Sequence, residues 1–188
     1  MSRAPVMRLF VAVYPDAGGA SALARHAAGI EREHEGRFRA TAPQLLHLTL
    51  LFIGDTSERE LEDVRESIER SVAGVGAFEL GAGRLVGLPS EREARLVAAE
   101  TDSPPGLLEV QRRLAARLAR NPKDKRPGRY LPHVTLGRFG QGATEAFEAR
   151  EIPEVRFGVD GVRLMKSVLR PGGAEHAEVG WFGLAAGR

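Results

Sequence analysis

An eight-residue pattern occurs twice in this 188-residue chain, and it limits the possible folds more strongly than composition does. The first copy is His-Leu-Thr-Leu-Leu-Phe-Ile-Gly at 47–54, and the second is His-Val-Thr-Leu-Gly-Arg-Phe-Gly at 133–140. Histidine, threonine, leucine and glycine occupy the first, third, fourth and eighth places of both copies. Because the copies begin 86 residues apart, they predict two structurally related halves.

Both copies have the apolar composition of β-strands, in which alternate side chains project from the same face. His47 and Thr49 therefore share one face, and so do His133 and Thr135, while their apolar neighbours point to the opposite face. If the halves pack about a pseudo-twofold axis, the two His–Thr pairs face each other across a groove.

Two histidines and two threonines suit a substrate that is already negatively charged, such as a phosphodiester. The ordinary pKa of imidazole lets protonated and neutral forms coexist near neutral pH, and threonine hydroxyls add hydrogen bonds without charge. One histidine can activate water while the other protonates the leaving oxygen, which accelerates a reaction by roughly 10²–10⁴-fold. A single His-x-Thr is usually structural, but packing alone has no use for a repeated pair, so the repeat predicts catalysis.

Hydrophobic periodicity predicts an α+β chain that consists mainly of strands after its third helix. The predicted helices cover 20–34, 58–72 and 106–120, with a helical turn near 144–149. The predicted strands cover 8–14, 45–53, 78–87, 94–100, 133–139, 155–159, 162–169 and 177–182. Since no linker separates independent domains, we expect one two-lobed domain over 1–188, with repeat halves of about 1–90 and 91–188.

Composition excludes several classes of site. The chain has no cysteine, which rules out disulfides, thiolate zinc sites, iron–sulfur clusters and a cysteine nucleophile. No spacing typical of a zinc site is evident either, so we expect neither a metal nor another cofactor. No apolar stretch approaches the ~18 residues of a transmembrane helix, and the N-terminus is unlike a secretory signal. We expect a soluble, cytoplasmic monomer without membrane contact.

The paired motifs resemble those of the two-histidine phosphoesterase superfamily, whose mark is a pair of His-x-Thr/Ser-x motifs. Within it, the chain is similar to the bacterial and archaeal RNA 2′,3′-cyclic phosphodiesterases, also called 2′-5′ RNA ligases. The segments that match are RLFVAV, HLTLLFIG, RYLPHVTLGRF and the closing strand that ends in Trp181. This resemblance implies a bilobal α+β fold, with two antiparallel β-sheets and outer helices around a central cleft.

The resemblance also implies a reaction, the metal-independent hydrolysis of an RNA 2′,3′-cyclic phosphate to a 2′-phosphate. His47 is then the proton donor to the departing 3′ oxygen, and His133 is the base that activates water. Thr49 and Thr135 hold the non-bridging phosphate oxygens. Because the motifs are symmetric, the sequence leaves open which histidine is the acid, and it also leaves open a reverse 2′-5′ ligation.

Two arginines are further candidates for binding the substrate. Arg138, five residues after the second histidine, matches a family position and can neutralise the phosphate in the transition state. Simple alternation nevertheless puts Arg138 on the face opposite to His133, unless a bulge at Gly137 redirects it. Arg95 resembles a family arginine near the site.

Two ring side chains outside the motifs also stand at positions that the family uses. Tyr130 occurs where the family often has an aromatic residue, and it either stacks on a base or packs at the beginning of the strand. His176 occurs where family members often have a tyrosine. Because His176 lies outside both motifs, we interpret it as a surface or sheet residue.

A basic segment leads directly into the second motif. It contains one acidic residue, Asp124, and five basic ones: Arg120, Lys123, Lys125, Arg126 and Arg129. We interpret it as an arm that attracts the RNA backbone electrostatically, and the alternative is an ordinary solvated loop.

Other functions remain as alternatives to hydrolysis of RNA ends. One is a related phosphodiesterase that acts on small cyclic nucleotides. Another is a non-catalytic RNA-binding module, and a third is a metal-dependent hydrolase, which a chelator would inactivate.

Overall fold

A computed structural model describes residues 6–120, 130–140, 142–170 and 173–186. In these ranges the helices are α1 Ala17–Glu33, α2 Leu61–Val72 and α3 Pro105–Leu118. The strands are β1 Val6–Val13, β2 Phe38–Ala40, β3 Leu48–Ser57, β4 Phe78–Leu88, β5 Leu96–Thr101, β6 His133–Phe139, β7 Arg150–Val159, β8 Gly161–Arg170 and β9 Gly173–Gly183. Helices and antiparallel strands together confirm the predicted α+β class.

The strands form one sheet in the order β7-β4-β5-β6-β3-β1-β8-β9, and β2 pairs with the free side of β6 beside β3. The sheet contains two groups of strands. One group consists of β4, β5, β6 and β7, and the other consists of β1, β3, β8 and β9. They meet between β3 and β6 through the pair Leu48↔Val134. The two expected antiparallel sheets are thus joined at a narrow junction.

The two groups of strands do not correspond to two contiguous halves of the chain. β4 lies with β5, β6 and β7, whereas the last two strands, β8 and β9, return to the group of β1 and β3. The expected division near residue 90 is therefore not the division of the sheet. The reason is that β8 pairs with β1, at the opposite end of the sequence.

Alternating residues of β1 belong to different apolar clusters on the two faces of the sheet. The main core, which also holds the buried residues of all three helices, includes Leu9, Val11 and Val13. A smaller cluster on the opposite face consists of Phe10, Ala12 and Met165, with Tyr14 packed against it. The helices therefore cover one face, and the other face is left for a site.

Helix positions follow the sequence signals closely. The Asp16 side chain accepts a hydrogen bond from the Gly19 backbone N–H (2.8 Å) and caps α1. In α2 the apolar residues spaced by three or four, Val64, Ile68 and Val72, are buried. No helix in the described ranges is both long and apolar enough to span a membrane.

Several local elements differ from the prediction. The three-residue strand β2 was not predicted, because a segment this short shows no periodicity. Residues 144–149 form no helical turn and instead contain an isolated bridge between Ala94 and Glu145. The second predicted strand begins at Leu48, after a short 3-10 turn at Pro43–Leu45.

Candidate active site

The two repeated motifs lie on adjacent strands. Leu48 and Val134 are direct antiparallel partners, and both are fully buried on the helix side of the sheet. The residues that flank this pair project from the opposite face. These flanking residues are His47, Thr49, His133 and Thr135, all half-buried. The structure thus brings both His–Thr pairs to one place on the uncovered face.

The two imidazoles are held in the same way. His47 Nδ1 donates a hydrogen bond to the Leu45 carbonyl (2.6 Å), and His133 Nδ1 donates one to the Leu131 carbonyl (2.8 Å). A carbonyl oxygen only accepts, so each Nδ1 carries the hydrogen. Nε2 is therefore the atom of each ring that takes or gives a proton.

Three rings surround His47. Tyr14 stacks on it with ring centroids 5.3 Å apart, Phe10 lies at 5.2 Å, and His176 meets it edge-on at 5.1 Å. Burial among these rings is the main cause that lowers the pKa of His47 to about 4. The hydrogen bond to Leu45 opposes this shift, and the charges of nearby basic groups, His133 among them, add to it.

His176 is a sheet residue, as one of the two interpretations expected, but sequence analysis missed that it lies beside the first motif. Its ring contacts both His47 and Phe10, the latter with centroids 4.9 Å apart. Pairing of Ser167 with His176 and of Arg8 with Ser167 places it on the same face as the motifs. Burial lowers its pKa. Only the strand order brings β9 beside the first motif. The one sequence signal for His176 was therefore that it stands where family members often have a tyrosine.

Tyr14 is a second residue that sequence analysis missed. Its ring stacks on His47, and the Arg163 guanidinium lies 5.3 Å from its centroid. The buried Tyr14 hydroxyl has no hydrogen-bond partner among the described residues. At the end of an apolar strand, nothing in the sequence distinguished Tyr14 from a core residue.

A β-bulge redirects Arg138 to the face of the histidines. Ala98 pairs with Thr135 but its neighbour Val97 pairs with Gly137, so one residue of β6, Leu136, is extra. Arg138 then lies on the same side as Thr135, against the prediction from simple alternation. Its charge also contributes to the lowered pKa of His47.

The first motif contains a bulge at the same place. Ala12 pairs with Thr49 and Val11 with Leu51, so Leu50 is the extra residue of β3. Phe52, the counterpart of Arg138 in the repeat, is thereby turned onto the site face, where it is 68% exposed. The sixth residues of the two motifs thus differ: Phe52 places an aromatic ring on one side of the histidines, and Arg138 places a cation on the other.

Tyr130 packs at the beginning of its strand rather than offering a face for stacking. Its hydroxyl donates a hydrogen bond to the Thr49 carbonyl (3.0 Å), and its ring packs against the main core. Burial raises its pKa. Tyr130 therefore links β3 to the start of β6 and positions the motifs.

Arg95 is not brought into the site by any observed bond. It is exposed and immediately precedes β5, where its carbonyl accepts a hydrogen bond from the Phe139 N–H (3.0 Å). Within the described part of the chain, no hydrogen bond or ion pair joins its side chain to the motifs. Its contact with phosphate stays a prediction.

Most of the basic segment, residues 121–129, lies outside the described residues. Arg120 is described, and its guanidinium donates to the Asp55 carbonyl and to Glu60 Oε1, the latter at 3.1 Å. This arginine therefore holds the segment's start against the end of β3, while the role of the segment as an RNA-attracting arm stays a prediction.

Metal ligands are not grouped in the described ranges. No cluster of three or more His, Cys, Asp or Glu side chains there is suitable for holding a metal ion. The chemistry that the arrangement supports is acid–base catalysis by two Nε2 atoms, beside hydroxyls and a guanidinium.

Known proteins are similar to this chain in sequence and in fold. An RNA 2′,3′-cyclic phosphodiesterase of Methanothermobacter thermautotrophicus is 28% identical over 188 residues, which cover 95% of this chain and 99% of the relative. One of Thermus thermophilus is 30% identical over 95% of this chain and 90% of the relative. The crystal structure of the Thermus thermophilus protein TT0787 superposes with a TM-score of 0.82 at 25% identity, covering 97% of this chain and 100% of that one.

The family comparison agrees with the paired motifs and their geometry. Residues 20–170, which contain both motifs, match the model of the 2′-5′ RNA ligase superfamily. The chain belongs to the 2′-5′ RNA ligase superfamily.

Proposed function

We propose that this protein is a phosphodiesterase that hydrolyses 2′,3′-cyclic phosphates at RNA ends to 2′-phosphomonoesters, without a metal ion. The observation that carries the proposal is the pair of matched imidazoles on adjacent strands, each with Nδ1 bound to a carbonyl and Nε2 left for proton transfer. The curated relatives at 28% and 30% identity are named RNA 2′,3′-cyclic phosphodiesterases.

The groups around the histidines suit this substrate. Thr49 and Thr135 lie on the same face and would donate hydrogen bonds to the non-bridging oxygens. Arg138 would neutralise the charge that develops on the phosphorane. Phe52 offers an exposed ring to the nucleoside that carries the cyclic phosphate.

The proposed reaction conserves protons. One histidine accepts a proton from water as the water oxygen bonds to phosphorus. The other donates a proton to the 3′ oxygen as its bond to phosphorus breaks, so the product keeps the phosphate on the 2′ oxygen. Proton exchange with solvent then restores both rings.

The proposed assignment makes His47 the donor and His133 the acceptor. Without substrate, the lowered pKa of His47 keeps this ring neutral at pH 7, which suits an acceptor. A bound phosphate anion favours the protonated ring and raises that pKa. The donor role therefore depends on the negative charge of the substrate.

The test of the activity is incubation of an RNA that ends in a 2′,3′-cyclic phosphate, with a chelator present, and identification of the product. We expect a 2′-phosphate, and a loss of roughly 10²–10⁴-fold in kcat for His47→Ala and for His133→Ala. His26→Ala is the matched control, since this half-buried histidine lies on α1, outside the site. Loss of activity on chelation, with recovery on adding a divalent ion, would overturn the proposal.

A substrate in which sulfur replaces the 3′ bridging oxygen separates the two roles. A thiolate leaves without needing a proton, so it bypasses the general acid. With His47 as the donor, His47→Ala regains most of its activity on this substrate and His133→Ala does not. The opposite pattern would exchange the two assignments.

We also propose that the chain acts as a monomeric, single two-lobed domain in the cytoplasm. One continuous apolar core includes residues from both groups of strands and from all three helices, which supports a single cooperative unit. Light scattering and a single urea transition, observed by both fluorescence and circular dichroism, test the first two points. Fractionation of cells tests the third.

A further inference from the structure

Trp181 is the single tryptophan of the chain, and it lies on β9 with 53% of its surface exposed. Two glycines lie beneath its ring. A Cβ atom added at Gly161 would be 2.6 Å from indole Cε2, and one added at Gly183 would be 2.9 Å from Cη2. The absence of side chains at these positions lets the indole lie against the sheet backbone, which leaves a flat aromatic surface towards solvent.

This aromatic surface is on the same face of the sheet as the two motifs. Cross-strand pairs run from Thr49 through Ala12 and Arg163 to Trp181, and paired residues project to the same side. The row crosses three strand spacings, which corresponds to about 14 Å from Thr49 to Trp181 along the sheet.

Side-chain contacts continue along this row from the motifs towards Trp181. Tyr14 stacks on His47, and the guanidinium of Arg163, the cross-strand partner of Trp181, lies 5.3 Å from the Tyr14 ring. Arg163 also forms a 3.1 Å ion pair with Glu178, which balances its charge. A ligand would therefore bind this surface mainly through the indole ring of Trp181, and less through the charge of Arg163.

We propose that Trp181 is a stacking platform for a base of the RNA strand, 5′ of the nucleotide that carries the cyclic phosphate. This inference rests on the proposed function, because a strand whose 3′ end is at the histidines must leave the site across one of its sides. Stacked nucleotides rise about 3.4 Å each, so the row accommodates about four of them, and fewer when the strand is extended. A base stacked on an aromatic side chain contributes about 1–3 kcal/mol.

The test compares kcat/KM for a 2′,3′-cyclic mononucleotide with kcat/KM for RNAs of two to six nucleotides that end in a cyclic phosphate. We expect Trp181→Ala to lower kcat/KM about five-fold or more for the longer RNAs. We expect Trp181→Ala to leave kcat/KM for the mononucleotide unchanged, and Trp181→Phe to retain most of the kcat/KM for long RNAs. Leu108→Ala, at a 42% exposed position of α3, is the control and should leave kcat/KM unchanged for every substrate.

Fluorescence provides a second measurement that does not require turnover. Because Trp181 is the only tryptophan, quenching in the His133→Ala variant reports directly on this ring. We expect quenching by an RNA of six nucleotides with a 2′,3′-cyclic end and little by the cyclic mononucleotide. Activity and fluorescence together separate the two proposals. An inactive wild-type protein would contradict the proposed function, whereas absence of quenching would contradict the role of Trp181.

Two other outcomes would overturn the inference. If Trp181→Ala lowers kcat/KM equally for every length, the residue supports the site or the fold and does not bind upstream RNA. If it alters the oligomeric state in light scattering while the length dependence stays as in the wild type, the ring belongs to a protein contact.

Discussion

Leu48 of β3 and Val134 of β6 are direct partners in the antiparallel sheet, and this pair joins the two groups of strands where both motifs begin. Each catalytic candidate, His47 or His133, is the residue immediately before one member of the pair. The side chains of Leu48 and Val134 are 0% exposed, so their packing fixes the separation of the two histidines.

The first prediction concerns this junction. Leu48→Ala removes buried methyl groups and should lower the free energy of unfolding by about 2–5 kcal/mol. Leu80→Ala, at an equally buried position of β4, should cost a similar amount of stability. We expect only Leu48→Ala to reduce kcat, measured under conditions in which both variants are folded. Equal kcat values in the two variants would mean that the junction does not position the histidines.

The second prediction compares two buried tyrosines. Tyr130→Phe leaves the Thr49 carbonyl without its 3.0 Å hydrogen bond and should lower the free energy of unfolding by about 1–3 kcal/mol. Tyr14→Phe removes a hydroxyl that is buried without a partner among the described residues, so it should be neutral or stabilising. Urea unfolding of both variants checks this, and a larger cost for Tyr14→Phe would contradict it.

The third prediction concerns the bulge that redirects Arg138. A Cβ atom at Gly137 would lie 2.3 Å from the Phe38 ring and 2.5 Å from the Arg39 carbonyl. Gly137→Ala should therefore separate β2 from β6 and lower the free energy of unfolding by about 1–3 kcal/mol or more. It should also raise KM as Arg138 shifts. Gly140→Ala, where nothing lies within 4 Å, is the control and should cost much less.

The fourth prediction concerns the dependence of stability on pH. The pKa of His47 falls from 6.5 to about 4 on folding, mainly through burial. The unfolded chain therefore binds a proton between these values and the native state does not, so this contribution to stability is lost as the pH falls from 6.5 towards 4. At pH 5 the loss relative to pH 7 amounts to about 2 kcal/mol.

Urea unfolding of wild type and His47→Gln at pH 7 and pH 5 measures this contribution. The wild type should lose more free energy of unfolding than the variant by about this amount. The lowered pKa of His26 acts in the same direction, but it is common to both proteins and cancels in the comparison. His176 contacts the ring of His47, so its lowered pKa does not cancel fully, and the difference reports on the two rings together. An equal loss in both proteins would show that His47 is not buried as a neutral ring.

The repeat allowed His47, His133, Thr49 and Thr135 to be predicted as one site. Each pair lies two residues apart in a strand, and alternation then fixes a common face without knowledge of the rest of the fold. The helices were equally predictable, since their apolar stripes repeat every three or four residues and their caps are local.

Arg138 and Phe52 could not be oriented from sequence in this way. Their direction depends on bulges at Leu136 and Leu50, and a bulge is defined by the register against a neighbouring strand. The alternation rule fails wherever one strand has an extra residue, and only the paired strand reveals where that is.

The sequence by itself determined the α+β class, the two catalytic candidates and the face that each shares with its threonine, because these follow from local periodicity and from a repeat within the chain. The tertiary structure alone decided that β8 and β9 return to β1, that His176 and Tyr14 enclose His47, and that Tyr130 packs instead of stacking on a base. These contacts join residues far apart in the chain, and their formation depends on strand order and register, which short-range patterns do not specify.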